Sequence, residues 1–272
     1  MSTRKIWWTD FTAADFSTID PMKTIAILPT AAIEQHGPHL PVGTDTIINQ
    51  GHLDLLVKKL PADLDVRILP VQAIGKSNEH IWQVGTVTNL ATDLISSWTQ
   101  IGLEVARSGI RKIVFVNSHG GNVAINEIVA RELRIKAGML AVKAAWSGLG
   151  PKEIYSDIEN RYGIHGGDYE TSVLLHFRPQ TVDMSKAEDF DAVARRSPLA
   201  RVFHETSPEI VHFAVARGAA LHALSLALAG RGVIEPVTGS ALSIRTSSGL
   251  VSLVAPGTRL PFPARDEWAE CT

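Results

Sequence analysis

The chain has 272 residues, of which 45% are hydrophobic and 20% charged, and its formal net charge is -2. Such a composition predicts a globular protein with a buried core, and it offers no broad basic surface for nucleic acid. The single cysteine, Cys271, excludes an internal disulfide framework and a cysteine-based zinc site. The first residues lack the apolar segment of a signal peptide, and Arg217 interrupts the longest apolar stretch. We therefore expect a cytoplasmic protein without membrane or nucleic-acid partners.

Short β-branched runs alternate with longer stretches that carry apolar residues at helical spacing. The predicted strands are residues 24–28, 66–71, 113–116 and 139–142, and the predicted helices are residues 45–60, 92–108 and 122–136. This alternation is typical of an α/β fold with a mostly parallel sheet flanked by helices, in a single domain over residues 1–272. Beyond residue 185 the pattern is less regular, with a possible helix at residues 211–228 followed by short strands and turns.

The segment that follows the first predicted strand is rich in potential metal ligands. Residues 34–45 include Glu34, His36, His39 and Asp45. Carboxylate and imidazole ligands without cysteine favour a divalent ion such as Zn or Mn. Taken alone, the segment is equally consistent with a polar surface loop. We expect His39 to orient a ligand or to pack the loop, since histidine ligands commonly need such partners.

Two further polar segments follow buried strands or precede helices. Residues 117–122, Asn-Ser-His-Gly-Gly-Asn, place His119 at the same end of the sheet as the first segment. Phosphate binding there is disfavoured, because the loop lacks the Gly-Lys-Ser/Thr ending of a P-loop. Residues 163–172 contain His165, Asp168 and Glu170. The two carboxylates could simply stabilise a helix N-terminus through its dipole.

Together these three segments resemble the motifs of the creatininase (creatinine amidohydrolase) family. The matching stretches are residues 34–41 with 43–45, residues 117–122 and residues 165–172, and residues 75–80 with 85–86 resemble the substrate-side loop of the family. The resemblance covers roughly residues 25–183. It implies a three-layer α/β/α fold and a dinuclear metal site that hydrolyses C–N bonds of amides, which are often cyclic.

Carried over by position, the resemblance implies a role for each ligand. Glu34 and His119 would bind one ion, His36 would bind the other, and Asp45 would bridge the two. The ions would be Zn, Mn or both, with Fe possible. Two such ions can hold a bridging hydroxide that attacks the amide carbonyl.

One position departs from the pattern of creatininase proper. There, a glutamate two residues after the middle-motif histidine completes the second ion's ligand set, and here that position is Gly121. Members with the His-Gly-Gly-Asn form resemble this chain more closely, and in them we expect the third-motif glutamate, Glu170, to be the fifth ligand. The missing carboxylate argues against creatinine itself as the substrate.

We assign the proton-transfer step and substrate contacts as follows. His165 is the candidate general acid for the leaving nitrogen, and Glu170 is predicted to be catalytic as well as a ligand. Alternatively, His165 only stabilises its glycine turn. The candidate substrate-binding residues are Ser77, Glu79, His80, Trp146 and Asp168. Alternatively, the first three belong to a polar loop, the tryptophan ring only packs against its neighbours, and Asp168 only stabilises a helix N-terminus.

The predicted function is a dinuclear metal hydrolase acting on a small cyclic amide. One alternative is a formamide hydrolase acting on a pyrimidine nucleotide, for which Lys76 or Arg161 could bind phosphate. Others are peptide trimming in cofactor maturation and a non-catalytic metal-binding or assembly protein. The resemblance also implies a homo-oligomer, commonly a hexamer, whereas residues 201–272 form a divergent segment that does not align with the family.

Overall fold

A computed structural model describes residues 4–189 together with the strands at 242–246 and 249–254. The chain divides into two compact units, residues 1–188 and residues 189–272, and the first contains every candidate site residue. The helix predicted at residues 211–228 lies outside the described residues.

A parallel sheet forms the centre of the first unit. Its strands are β1 (Ile25–Thr30), β2 (Val66–Ile68), β3 (Lys112–Asn117) and β4 (Leu140–Ala145), in the order β2-β1-β3-β4. The four predicted strands are confirmed, although β2 ends three residues early. Pro70 has no amide hydrogen to continue the ladder, and pairing returns only at the isolated bridge between Thr30 and Gln72.

Helices cover both faces of this sheet, as the α/β prediction requires. They are α1 (Thr44–Lys59), α2 (Ala91–Arg107), α3 (Val123–Ala137), α4 (Asp157–Tyr162) and α5 (Asp168–Phe177). Alternate residues of β1 point to opposite faces: Ala26 and Leu28 pack in the core of α2 and α3, whereas Ile27 packs in the core of α1. The first three predicted helices match α1, α2 and α3 within one residue at each end.

A third apolar cluster fixes α5 against α1. Leu40, Ile48 and Leu174 are buried together. Further along the same contact, a Cβ on Gly51 would lie 2.5 Å from Cγ of Phe177, so the glycine permits close approach of the two helices. This packing brings the first turn of α5 near the first turn of α1, where Asp45 lies.

In the second unit, β5 (Leu242–Thr246) and β6 (Gly249–Val254) form an antiparallel pair. These are the short strands expected for this part of the sequence. Among the described residues, the helices are too short or too polar to cross a membrane.

Candidate metal centre

Five side chains converge beyond the carboxyl ends of β1 and β3. The first two follow β1, the third is in the first turn of α1, the fourth follows β3 and the fifth is in the first turn of α5. All are at most 9% exposed, which is unusual for ionisable groups without partners. They are Glu34, His36, Asp45, His119 and Glu170.

Three of these residues form one potential ion position. Nδ1 of His119 lies 3.1 Å from a Glu34 carboxylate oxygen and 3.2 Å from an Asp45 carboxylate oxygen. The other ring nitrogen, Nε2, donates a hydrogen bond to the Lys76 carbonyl at 2.7 Å. That bond leaves Nδ1 without a proton in the neutral ring, with its lone pair directed at the two carboxylates.

A second trio shares Asp45 with the first. Nε2 of His36 lies 3.5 Å from Oδ1 of Asp45 and 3.7 Å from Oε2 of Glu170. Nδ1 of His36 donates to the Glu34 carbonyl at 3.0 Å, so the lone pair of Nε2 faces the carboxylates. Glu170 in turn accepts a hydrogen bond from the Gly166 amide at 2.5 Å.

The chemistry of these groups fits divalent cations. Among the described residues, Nε2 of His36 and Oδ2 of Asp45 are buried atoms without a hydrogen-bond partner. Buried acceptors that face other acceptors are costly, because neither can supply the proton that a hydrogen bond needs. A cation at each trio satisfies all of them. The two trios also reproduce the division of ligands implied by the sequence, with Asp45 common to both.

Without cations, the two imidazoles of the centre bind protons more tightly than isolated histidines do, whereas two of its carboxylates bind them less tightly. Burial lowers the pKa of His119, but hydrogen bonds and charge from Asp45 and Glu34 outweigh it and raise that pKa to about 10. The pKa of His36 is also raised well above its usual value, since Asp45 and Glu170 outweigh burial. For the Glu34 and Asp45 carboxyls, burial raises the pKa but the neighbouring imidazoles more than offset it, so both are lowered.

Hydrogen bonds from side chains to backbone carbonyls fix the segments that carry these five residues. The Ser118 hydroxyl donates to the Asp45 carbonyl at 2.8 Å, and Asn49 donates to the carbonyl of Thr30 at 3.0 Å. Asn117 donates to the His119 carbonyl at 2.6 Å, which fixes the turn after β3. None of these three residues had a predicted role. Asn49 lies four residues after Asp45 on α1, so helical spacing is a signal that could have identified it.

The imidazoles of His165 and His80 lie beside His36, and the rings of His165 and His80 are stacked. His165 lies with its ring centroid 4.2 Å from that of His36 and 4.2 Å from that of His80. The side-chain amide nitrogen of Gln35 is 3.0 Å from Nδ1 of His80 and 3.0 Å from Nε2 of His165. Nε2 of His165 also contacts the backbone carbonyl of Gln35. Gln35 therefore positions both histidines, a role that the sequence analysis missed although Gln35 lies between two predicted ligands.

The position of His165 is consistent with more than one role. Its Nδ1 lies 3.4 Å from Glu34, and His165 forms a third potential ligand group with Glu34 and His36. Burial is the main cause that lowers the pKa of His165, and the charge of His36 adds to it. The ring is thus neutral at physiological pH and able to accept a proton before donating one.

Ser77, expected to contact the substrate, lies against Glu34 in the structure. Its side chain is fully buried, and its hydroxyl donates to the Glu34 carboxylate. This contact fits a residue that orients Glu34, and the contact of Ser77 with a substrate stays a prediction. The same loop places His80 at the centre, with Nε2 3.9 Å from Glu34.

The other predicted substrate residues lie farther from the ligands or at the surface. Glu79 is exposed and forms an ion pair with Lys76 at 3.0 Å. Asp168 is exposed at the first residue of α5, where its charge favours the helix N-terminus. Trp146 donates to Asn49 at 3.1 Å and stacks on His52, so packing alone accounts for its position. Their contacts with a substrate stay predictions.

His39 is buried and connects the segment of residues 34–45 to that of residues 163–172. Its Nε2 lies 3.0 Å from the hydroxyl of Thr171, next to Glu170 in α5. This agrees with the expected orienting or packing role.

Gly121 is required by close packing around His119. A Cβ there would lie 2.5 Å from Nε2 of His119 and 2.9 Å from Glu79, and it would collide with the Lys76 carbonyl. The Lys76 carbonyl, which accepts the His119 hydrogen bond, fills the space that a larger side chain at position 121 would need. The third carboxylate of the cluster lies in another direction, that of Glu170.

Solved structures share this fold. A creatininase of the Zn-Zn type aligns with a TM-score of 0.57 and 22% identity, over 69% of this chain and 78% of its own. A creatininase in an Mn form aligns with a TM-score of 0.55 and 23% identity, over 69% of this chain and 79% of its own. At these identities the comparison identifies the architecture only.

Sequence relatives extend the comparison. The mycofactocin precursor peptide peptidase of Mycolicibacterium smegmatis is 35% identical over 163 residues, which are 59% of this chain and 61% of the relative. The creatinine amidohydrolase of Pseudomonas putida is 26% identical over 182 residues, which are 61% of this chain and 68% of the relative. The chain thus spans about three-fifths of the length of the peptidase relatives it matches. The family model for creatininase, creatinine amidohydrolase, matches residues 9–223, and the chain therefore belongs to the creatininase family.

Proposed function

We propose that this chain is a hydrolase of amide C–N bonds that uses two divalent metal ions. The observation that carries the proposal is the pair of buried side-chain trios that share Asp45. Three carboxylates, from Glu34, Asp45 and Glu170, offset most of the charge of two divalent ions, which limits the cost of holding both away from water. Zn and Mn are the proposed ions, since the solved relatives include a Zn-Zn type and an Mn form.

The side chains of the centre have separable roles in this reaction. When bound, the two ions supply a nucleophile from water at neutral pH and polarise the amide carbonyl. Asp45 would hold both ions, because one of its carboxylate oxygens lies near His36 and the other near His119. With their protons displaced by the ions, His36 and His119 would each present one unprotonated nitrogen, and a backbone carbonyl holds the nitrogen on the opposite side of each ring. Bonds to backbone reduce the freedom of both rings.

Proton transfer is assigned to His165. With its lowered pKa, the neutral ring accepts the proton released by the attacking water and then donates it to the departing nitrogen. Gln35 and the stacked His80 keep the ring in one orientation beside Glu34. Such acid–base assistance contributes roughly 10²- to 10⁴-fold to the rate. The carboxylate of Glu170 acts as a ligand in this scheme.

We propose a peptide amide as the substrate, with a small cyclic amide as the second candidate. The peptide is favoured by relatives above 30% identity that are named as peptide peptidases. It is also favoured by exposed apolar side chains directly after His80, where Ile81 is 64% and Trp82 69% exposed. The cyclic amide is supported by the similarity to creatinine amidohydrolase. The Lys76 ion pair with Glu79 disfavours the nucleotide alternative, since that ammonium already has an anionic partner.

A metal and substrate panel tests the proposal. Metal-free protein reconstituted with Zn²⁺ or Mn²⁺ is assayed on short peptides, cyclic amides and formamides, alongside His165→Gln. We expect two ions per chain, turnover of a peptide, and a rate lowered by roughly 10²-fold or more in the variant at unchanged metal content. A protein that binds two ions but turns over only cyclic amides would overturn the peptide assignment. One that binds no metal would overturn the proposal as a whole.

The expected homo-oligomer, the cytoplasmic location and the extent of the domain over residues 1–272 stay predictions.

A further inference from the structure

The turn before α5 carries His165 and the Gly166 amide that bonds Glu170, but it offers no side-chain cap for the helix. It runs from Gly163 to Gly167 and includes His165. The N-cap position of α5 is Gly167, which has no side chain to bond the free amides of the first helical turn. Helices normally satisfy these amides with a Ser, Thr, Asp or Asn at that position.

Glu159, in α4, supplies the missing cap from outside the helix. Its Oε1 accepts a hydrogen bond from the Tyr169 amide at 2.9 Å. Tyr169 is the second residue of α5, so its amide is one that an N-cap side chain ordinarily bonds. The carboxylate also places negative charge at the positive end of the helix dipole.

Two glycines leave the space in which this carboxylate lies. A Cβ on Gly167 would be 2.6 Å from Oε1 and 2.7 Å from Oε2 of Glu159. A Cβ on Gly163 would collide with the same carboxylate. Gly163 and Gly167 therefore make room for the Glu159 carboxylate as well as for the turn itself.

The conformation of this turn determines where Glu170 points. Gly166 has φ of +64°, in the left-handed region that favours glycine, and its amide donates to Oε2 of Glu170 at 2.5 Å. The same oxygen faces Nε2 of His36 at 3.7 Å. A cap that fixes the turn therefore acts on a ligand of one trio, whereas the Glu34 and His119 side chains are held by other elements.

We propose that Glu159 is a positioning residue for the ion held by His36, Asp45 and Glu170, an inference that rests on the proposed two-metal function. Loss of its carboxylate frees the start of α5 and lets Glu170 move away from His36. The ion held by Glu34, Asp45 and His119 keeps its ligands. Glu159 thus controls the second ion selectively.

Titration of metal-free protein with Mn²⁺ measures this selectivity directly. In Glu159→Ala we expect the ion held by His36, Asp45 and Glu170 to lose roughly 10- to 100-fold in affinity, which is the range for loss of a group that orients a ligand. The affinity of the ion held by Glu34, Asp45 and His119 should stay unchanged. Glu159→Gln keeps a carbonyl oxygen at the same reach, so most of the affinity should return. Asp157→Ala is the matched control, since Asp157 is an exposed carboxylate of the same short helix.

A second variant guards against general loss of structure. Gly167→Ala keeps Glu159 but displaces its carboxylate, so it should weaken the same ion without removing a charge. Equal loss of both ions in Glu159→Ala and Gly167→Ala, or retention of both at wild-type affinity, would overturn the role of Glu159. Failure of the wild-type protein to bind two ions would instead overturn the proposed function.

Discussion

The two candidate ion positions differ in what supports the ligands that they do not share. Glu34 and His119 follow adjacent strands of the sheet, and both are bonded by the loop after β2, through Ser77 and the Lys76 carbonyl. Glu170 depends on a glycine turn and on α5, outside the sheet. A ligand bonded to the sheet and its loops loses less freedom on binding a cation, so we expect the first position to bind more tightly.

The largest effect should come from the residue common to both positions. Asp45→Asn removes one negative charge shared by two cations, so both should be lost or weakened by more than the roughly 100-fold that an outer contact costs. Metal content by mass spectrometry and turnover would be measured together. Asp54→Asn is the control, since Asp54 is an exposed carboxylate on the same helix. Full occupancy of both positions in Asp45→Asn would show that the bridge is not needed.

A smaller, one-sided effect should follow Gly121→Ala. The new methyl group would press on His119 and the Lys76 carbonyl, so the first position should lose at least about 10-fold in affinity while the second is retained. Gly120→Ala is a close control, because a Cβ there meets nothing within 4 Å. Isothermal titration of both variants with Zn²⁺ distinguishes them. Equal binding by both would mean that the loop gives way and that Gly121 is no constraint.

Proton release should accompany metal binding at both positions. The raised pKa values of His36 and His119, the latter about 10, mean that cations displace protons at neutral pH. Metal affinity should therefore rise with pH, and titrations in buffers of different ionisation enthalpy should show one to two protons released per chain. Binding without proton release would contradict the imidazolium form of the metal-free centre.

The same pKa shifts give the metal-free protein its own pH dependence. The imidazolium of His119 contributes stability that is full below pH 6.5 and is lost as pH rises through about 10. Because the pKa values of Glu34 and Asp45 are lowered from 4.5 and 3.8, their contribution is lost as the medium becomes more acidic than those values. The contribution of these three groups to the midpoint temperature of thermal unfolding without metal should thus be largest between about pH 4.5 and 6.5. Added Zn²⁺ should move the maximum to higher pH, and an unmoved maximum would count against the centre.

The smallest effect is expected at Ser77. Ser77→Ala removes the hydroxyl that bonds Glu34, so metal affinity should fall by roughly 10-fold while KM at saturating metal stays the same. Steady-state kinetics over a range of metal concentrations separates the two quantities. A raised KM with unchanged metal affinity would support the predicted contact of Ser77 with the substrate instead.

Short polar motifs at strand ends predicted that several potential metal ligands would lie together. Because parallel strands end at one edge, the motifs of Glu34 and His119 were expected there, and the apolar periodicity of α1 placed Asp45 near the start of that helix. The grouping of Glu170 with them was expected only from the family resemblance, since it depends on how α5 packs against α1 through Leu174 and Ile48. Contacts between distant segments carry no local pattern.

The supporting residues were the least predictable part. Ser77 and Gln35 were visible in the motifs, but their partners depend on side-chain directions that spacing does not define. Glu159 lies in none of the motifs, and its contact with Tyr169 follows only from the position of α4. The steric requirement for Gly121 likewise arises from a carbonyl 45 residues earlier, that of Lys76.

Anomalous diffraction from crystals of the Mn²⁺-loaded or Zn²⁺-loaded protein would locate the ions themselves. We expect two anomalous peaks about 3.5–4 Å apart. One should lie within bonding distance of Glu34 and His119, the other near His36 and Glu170, and both should contact Asp45. A single peak, or two peaks without Asp45 between them, would contradict the shared two-metal centre.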